Sequence, residues 1–110
     1  MTPATTAASF ELAAGAAGQP LRLAGVASLA TARALLERGS ALFGTQPQVE
    51  LDLSGVTHAD SAGLAVLLTW LERARRNGQA LRYTSIPSQL RGIARISGVE
   101  EMLAAAQARR

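Results

Sequence analysis

Between Val49 and Gly78 the chain changes its apolar period once, and that change restricts what it can fold into. Val49-Glu50-Leu51-Asp52-Leu53 alternates apolar and acidic residues, the period of a strand with one covered face. Small and polar residues from Ser54 to Ala62 then lead into a helical pattern that stops at Asn77-Gly78, a pair suited to ending a helix. A strand feeding a long helix is the building unit of α/β folds, and the flanking segments extend it. Phe10 and Leu12 alternate around Glu11, Gly15 to Pro20 reads as a turn, and Leu21 and Leu23 alternate around Arg22. This predicts two short strands, the second broken at Gly25. Apolar residues recur at Leu29, Ala32, Leu35, Leu36, Leu42 and Phe43, so the spacing predicts an amphipathic helix from Leu29, capped by Ser28 and weakened at Gly39. Past Gly78, Leu81, Tyr83 and Ser85 alternate in another strand. Pro87-Ser88 opens a helix to about Ser97, Gly98 stops it, and Val99 to Ala108 is a last helical piece. The predicted order is β-β-α-β-α-β-α-α, an α/β fold in which helices cover a small mixed sheet. Met1 to Ala8 has no periodic pattern and reads as a flexible tail, leaving residues 9–108 as one domain.

Composition closes several functional classes. A chain of 110 residues, 48% hydrophobic and 17% charged, suits one domain with a viable core. All eleven bases are Arg; there is no Lys, no Cys and one His. A P-loop needs its Lys, a thiolate nucleophile needs Cys, and a structural zinc site needs Cys or several His, so all three are excluded. The net charge is only +3, aromatics make up 4%, and the Arg residues are spread from Arg22 to Arg110. A nucleic-acid surface would gather the bases into a stripe with stacking aromatics. The start MTPATTAASF has no basic n-region or apolar h-region, and no uncharged apolar run of about 18 residues occurs, so a cytoplasmic location is expected. His58, Asp60 and Ser61 supply the residue types of a hydrolase triad, but three positions so close in one loop do not form the required nucleophile-base-orienter line. No catalytic residue, metal site or cofactor is expected.

At about 100° per residue, Leu64, Leu67, Leu68, Leu71 and Ala74 share one side of the second helix and form its expected core stripe. Ala62, Ala65, Val66, Thr69, Arg73 and Arg76 lie opposite. The first turn of that second side is small or apolar where a solvated face is usually charged, so a partner can lie closely against it. The plain alternative is that Ala, a good helix former, is abundant throughout this chain. At the start of the helix, either Asp60 or Ser61 can cap free N–H groups. Ser61 is also placed to be an exposed hydroxyl, where phosphorylation would add about −1.5 to −2 charges beside a docked partner.

Val49 to Ser54 with Asp60-Ser61-Ala62-Gly63-Leu64, a D-S-x-G-L at a helix start, resembles STAS domains, the fold of anti-anti-sigma factors and of sulfate-transporter cytoplasmic domains. The resemblance runs from about Phe10 to Leu103. Its second half, Leu81-Arg82-Tyr83 and Pro87 to Val99, is most similar to the small STAS subunit of the bacterial lipid-asymmetry ABC transporter. That resemblance implies a non-catalytic cytoplasmic protein that binds the transporter's ATPase subunit and supports the complex at the inner membrane. It implies that Ser61 matches the hydroxyl that anti-anti-sigma factors offer to an anti-sigma serine kinase and that the transporter subunit places against its ATPase. Asp60 matches the acidic residue before it. Ala62 departs from the second Ser found in many anti-anti-sigma factors. The implied partner surface is Asp60, Ser61, Ala62, Ala65, Val66, Thr69, Arg73 and Arg76, with the two Arg side chains meeting acidic groups on the partner.

Overall fold

The alternation around Leu51 builds the middle of the sheet. In the computed structural model, which describes residues 9–15 and 19–108, strand β3 (Gln48–Ala59) buries Val49, Leu51 and Leu53 while Glu50 and Asp52 lie half-buried on the other face. The expected tail and the middle of the Gly15–Pro20 turn lie outside the described residues. The other elements are β1 (Phe10–Ala13), β2 (Leu21–Ala27), α1 (Ala32–Phe43), α2 (Ser61–Arg76), β4 (Ala80–Thr84), α3 (Ser88–Ile96) and α4 (Glu100–Ala105). The sheet order is β1-β2-β3-β4, antiparallel between β1 and β2 and parallel in the two pairs that involve β3. The predicted element order and mixed sheet are thus those observed.

Several boundaries differ from expectation, one of them the end of the last helix, which stops at Ala105 rather than Ala108 because residues 106–108 pair with β4. β2 does not break at Gly25 but runs through it to Ala27, because Gly25 adopts φ +97° and brings its Cα side against the Ser9 carbonyl, where a Cβ would stand 2.6 Å from the oxygen. β3 continues six residues past Leu53, since its backbone follows β2 through register shifts at Arg22/Ala24 and Gly25/Val26 to the pair Ala27↔Ala59. Such shifts break the period of two that marks a strand in sequence. Helix α1 starts at Ala32 rather than Leu29: Thr31 Oγ1 donates to Val26 O at 2.9 Å and accepts from Ser28 N at 2.9 Å, which folds residues 28–31 into a turn. The Ser28 hydroxyl accepts the Ala30 amide (3.2 Å) and caps no helix.

The helices pack on the face of the sheet carrying Leu23, Leu51, Leu53 and Tyr83. Tyr83 is fully buried, its hydroxyl donates to Leu67 O at 2.6 Å, and desolvation holds its pKa well above 10. Gly39, expected to weaken α1, is instead where α2 closes on it, since a Cβ there would stand 2.5 Å from Trp70 Nε1. Trp70 in turn meets Phe43 edge-on, with ring centroids 5.2 Å apart. Helix α2 ends as predicted at Asn77 and Gly78, the latter at φ +67°, and Gln79 N returns to Ala74 O at 2.8 Å. Beyond α4, residues 106–108 run back beside β4, with Tyr83 N donating to Ala106 O and Ala108 N to Tyr83 O. At the opposite end of the sheet Arg38 Nε donates to Leu12 O at 3.1 Å.

Two glycines in helices make opposite predictions. A Cβ on Gly63 would overlap the Ala27 carbonyl, whereas a Cβ on Gly92, within α3, meets nothing within 4 Å. Gly63→Ala is therefore expected to destabilise by about 2 kcal/mol through overpacking against backbone. Gly92→Ala is expected to stabilise by about 0.5–1 kcal/mol through helix propensity. Urea unfolding of both variants against wild type checks the pair.

Candidate functional site

The carboxyl ends of the parallel strands β2 and β3 meet the amino end of α2, and one side chain ties them. Asp60 Oδ1 accepts from Ala62 N (2.9 Å) and Gly63 N (3.0 Å), which makes Asp60 the N-cap, while its Oδ2 accepts from Leu29 N at 3.2 Å. Asp60 N itself donates to Ala27 O at 3.2 Å. Because the cap is Asp60, the neighbouring Ser61 hydroxyl is left exposed with no hydrogen-bond partner among the described residues. His58 is exposed near the end of β3, paired with Val26 of β2.

The outer face of α2 is narrower than the helical wheel suggests. Ala65 is exposed and Ala62 and Thr69 are half-buried, with the Thr69 hydroxyl engaged by Ala65 O at 2.8 Å. Val66 does not belong to this face: it is 2% exposed and sits in the core. α2 lies between α1 and α3 and is covered over a wide arc, so Gly63, Leu64, Val66, Leu67, Trp70 and Ala74 are all buried. Leu68 and Leu71, placed in the core stripe by spacing, are only half-buried and line a shallow groove with Met102 and Ala105.

Arg73 and Arg76 sit twelve and fifteen positions beyond Ser61, about 18 and 22 Å along the axis. Arg73 leans toward α1, its Nη1 donating to Ser40 Oγ at 3.3 Å. Arg76 shares Glu72 with Arg75, at 3.7 and 2.9 Å respectively. These exposed pairs contribute at most about 0.5 kcal/mol each. Sequence reasoning placed the two Arg on the face without noticing Glu72, which i,i+3 and i,i+4 spacing would have revealed. It also missed Leu29, whose amide reaches Asp60 and whose side chain is 79% exposed.

Among the described residues no three His, Asp or Glu side chains gather in one place, and no helix is long and apolar enough to cross a membrane. The site offers a small, mostly uncharged helix face, an exposed hydroxyl and an exposed Leu around one structural carboxylate.

The family model "MlaB, STAS domain" matches residues 10–104. The chain belongs to the MlaB-type STAS family. The STAS fold here superposes on an anti-sigma factor antagonist from Mycobacterium paratuberculosis with a TM-score of 0.65 and 18% identity, over 87% of this chain and 82% of that one. It also superposes on a sulfate transporter family protein from Wolinella succinogenes with a TM-score of 0.60 and 21% identity, over 74% and 67% of the two chains. No curated protein sequence matches significantly. In this STAS domain the D-S-x-G-L segment opens α2, with Gly63 and Leu64 buried as the close-packed first turn.

The Asp60 carboxyl lies below its ordinary value of 3.8: the Gly63 amide contributes most, partial desolvation opposes it, and the Leu29 and Ala62 amides and His58 add to the lowering. As pH falls, the unfolded chain therefore takes up this proton before the folded one. The stabilisation is complete well above pH 3.8 and is lost as pH drops through the folded pKa. Asp60→Ala is expected to cost about 1 kcal/mol at neutral pH through loss of the cap. Urea titrations across the acid range should show the gap between wild type and variant closing below about pH 3.8.

Proposed function

We propose that this chain is a non-catalytic STAS subunit that binds the ATPase of a phospholipid (Mla-type) ABC transporter. In that role it supports assembly and activity of the complex that maintains outer-membrane lipid asymmetry. The match of an MlaB-type family model over residues 10–104 carries the reading. The site agrees with it physically. Ala62, Ala65 and Thr69 let a partner helix or loop approach α2 closely, and the free Ser61 hydroxyl offers one hydrogen bond at the centre of the contact. Asp60 fixes the first turn, and Arg73 and Arg76 meet acidic groups at the far end. The domain works from the cytoplasm, reaching the face of the inner membrane only through the transporter, and by docking favours the assembled ATPase dimer.

The fold shared with an anti-sigma factor antagonist favours one alternative, in which the same face binds an anti-sigma serine kinase and phosphorylation of Ser61 releases it. A phosphate of about −1.5 to −2 charges would stand directly after the Asp60 carboxylate and under the docked partner. The two readings use one surface and differ in the protein that covers it.

Affinity capture of the tagged protein from its native host separates them. Wild type is expected to retain an ABC ATPase and its permease, Ser61→Glu to retain less, and Ala65→Arg to lose them while folding normally. Arg73→Glu is expected to lower affinity and its salt dependence only slightly, as a rim residue. Recovery of a serine kinase that Ser61→Glu abolishes would establish the alternative, and binding unchanged in Ala65→Arg would remove this face from both readings.

A further inference from the structure

Helical spacing assigns Leu29 to the buried side of α1, yet in the folded chain it lies outside the helix and is 79% exposed. It is held there by a built loop. Thr31 Oγ1 donates to Val26 O and accepts the Ser28 amide, both at 2.9 Å, and Ser28 Oγ accepts the Ala30 amide at 3.2 Å. Ser28 and Thr31, the two polar side chains of this turn, are themselves buried. The Leu29 amide is fixed by Asp60 Oδ2 at 3.2 Å, while Oδ1 of the same carboxylate fixes the amides of Ala62 and Gly63, which follow Ser61. Leu29 and the start of α2 are therefore gripped by opposite oxygens of one group, although 31 residues separate Leu29 from Asp60. A large apolar side chain kept in water on a rigid support loses little freedom on binding and gains burial when it does.

We propose that Leu29 is the apolar anchor of the docking site, entering an apolar pocket on the transporter's ATPase subunit, and that Asp60 is a positioning residue that holds Leu29 and the first turn of α2 in one arrangement. The inference rests on the reading of the α2 amino-terminal face as a protein-docking surface. It assigns the partner's recognition element a chemistry: a pocket lined by apolar side chains beside a flat patch that receives Ala65.

Calorimetric titration of the full chain with the purified transporter ATPase tests it. Leu29→Ser is expected to weaken binding about tenfold or more, as loss of a central anchor does. Its thermal midpoint should stay unchanged, and Leu29→Met should bind within about threefold of wild type. Asp60→Asn keeps an oxygen to cap α2 but puts an N–H₂ where an acceptor was, so it separates the two roles. In the free Asn variant, hydrogen exchange should quicken at the Leu29 amide but not at Gly63, and affinity should fall. Wild-type affinity in Leu29→Ser, with binding lost in Ala65→Arg, would overturn the anchor and leave the α2 face standing. Wild-type affinity in both variants, or no binding by the wild type, would overturn the reading and the anchor together.

Discussion

Three backbone amides from two distant segments converge on the Asp60 carboxylate, and the arrangement of the β2–α1 loop against the start of α2 depends on that convergence. The charge sits at the positive end of a sixteen-residue helix and satisfies two of its free N–H groups, while its second oxygen reaches across to the β2–α1 loop. The close approach of Gly63 to Ala27 sets how far apart these segments are. Only a residue without a Cβ permits it. The capping geometry and the packing geometry are thus one requirement, stated once by the acid and once by the glycine of D-S-x-G-L.

Much of the architecture is legible in the sequence because the signals involved are local. The alternation of Val49, Leu51 and Leu53, the Asn77-Gly78 stop and the Gly98 break are each read within a few residues, and each sits where expected. The features that were not legible depend on pairing with distant chain. Nothing between Ser54 and Ala59 announces a strand, because β3 is held there by β2 through two register shifts rather than by burial of alternate side chains. Val66 is misassigned for a related reason. A helix wheel with one buried side suits a helix at the edge of a layer, whereas α2 has α1 and α3 on its flanks.

The candidate site divides along the same line. Asp60, Ser61 and the small face at Ala65 were legible, since capping chemistry and helix spacing are local properties. Leu29 was not, because its apolar character fits the α1 pattern so well that only the buried Ser28–Thr31 turn reveals it as outward-facing. Gly39 teaches the converse. A residue that looks like a defect in an isolated helix is the place where Trp70 packs.

The ways in which such a domain can meet other chains follow from what happens at the two ends of its sheet. Four residues make up β1, and a guanidinium already occupies the Leu12 carbonyl. On β4 the outward amide and carbonyl of Tyr83 are taken by residues 106–108. An open edge is a template onto which any extended peptide can add a strand, and edges closed in this way offer few backbone groups to recruit one. Association is thereby left to side chains on loops and helix faces, which discriminate among partners. A small domain is in this way shielded from indiscriminate strand addition, including by unfolded copies of itself.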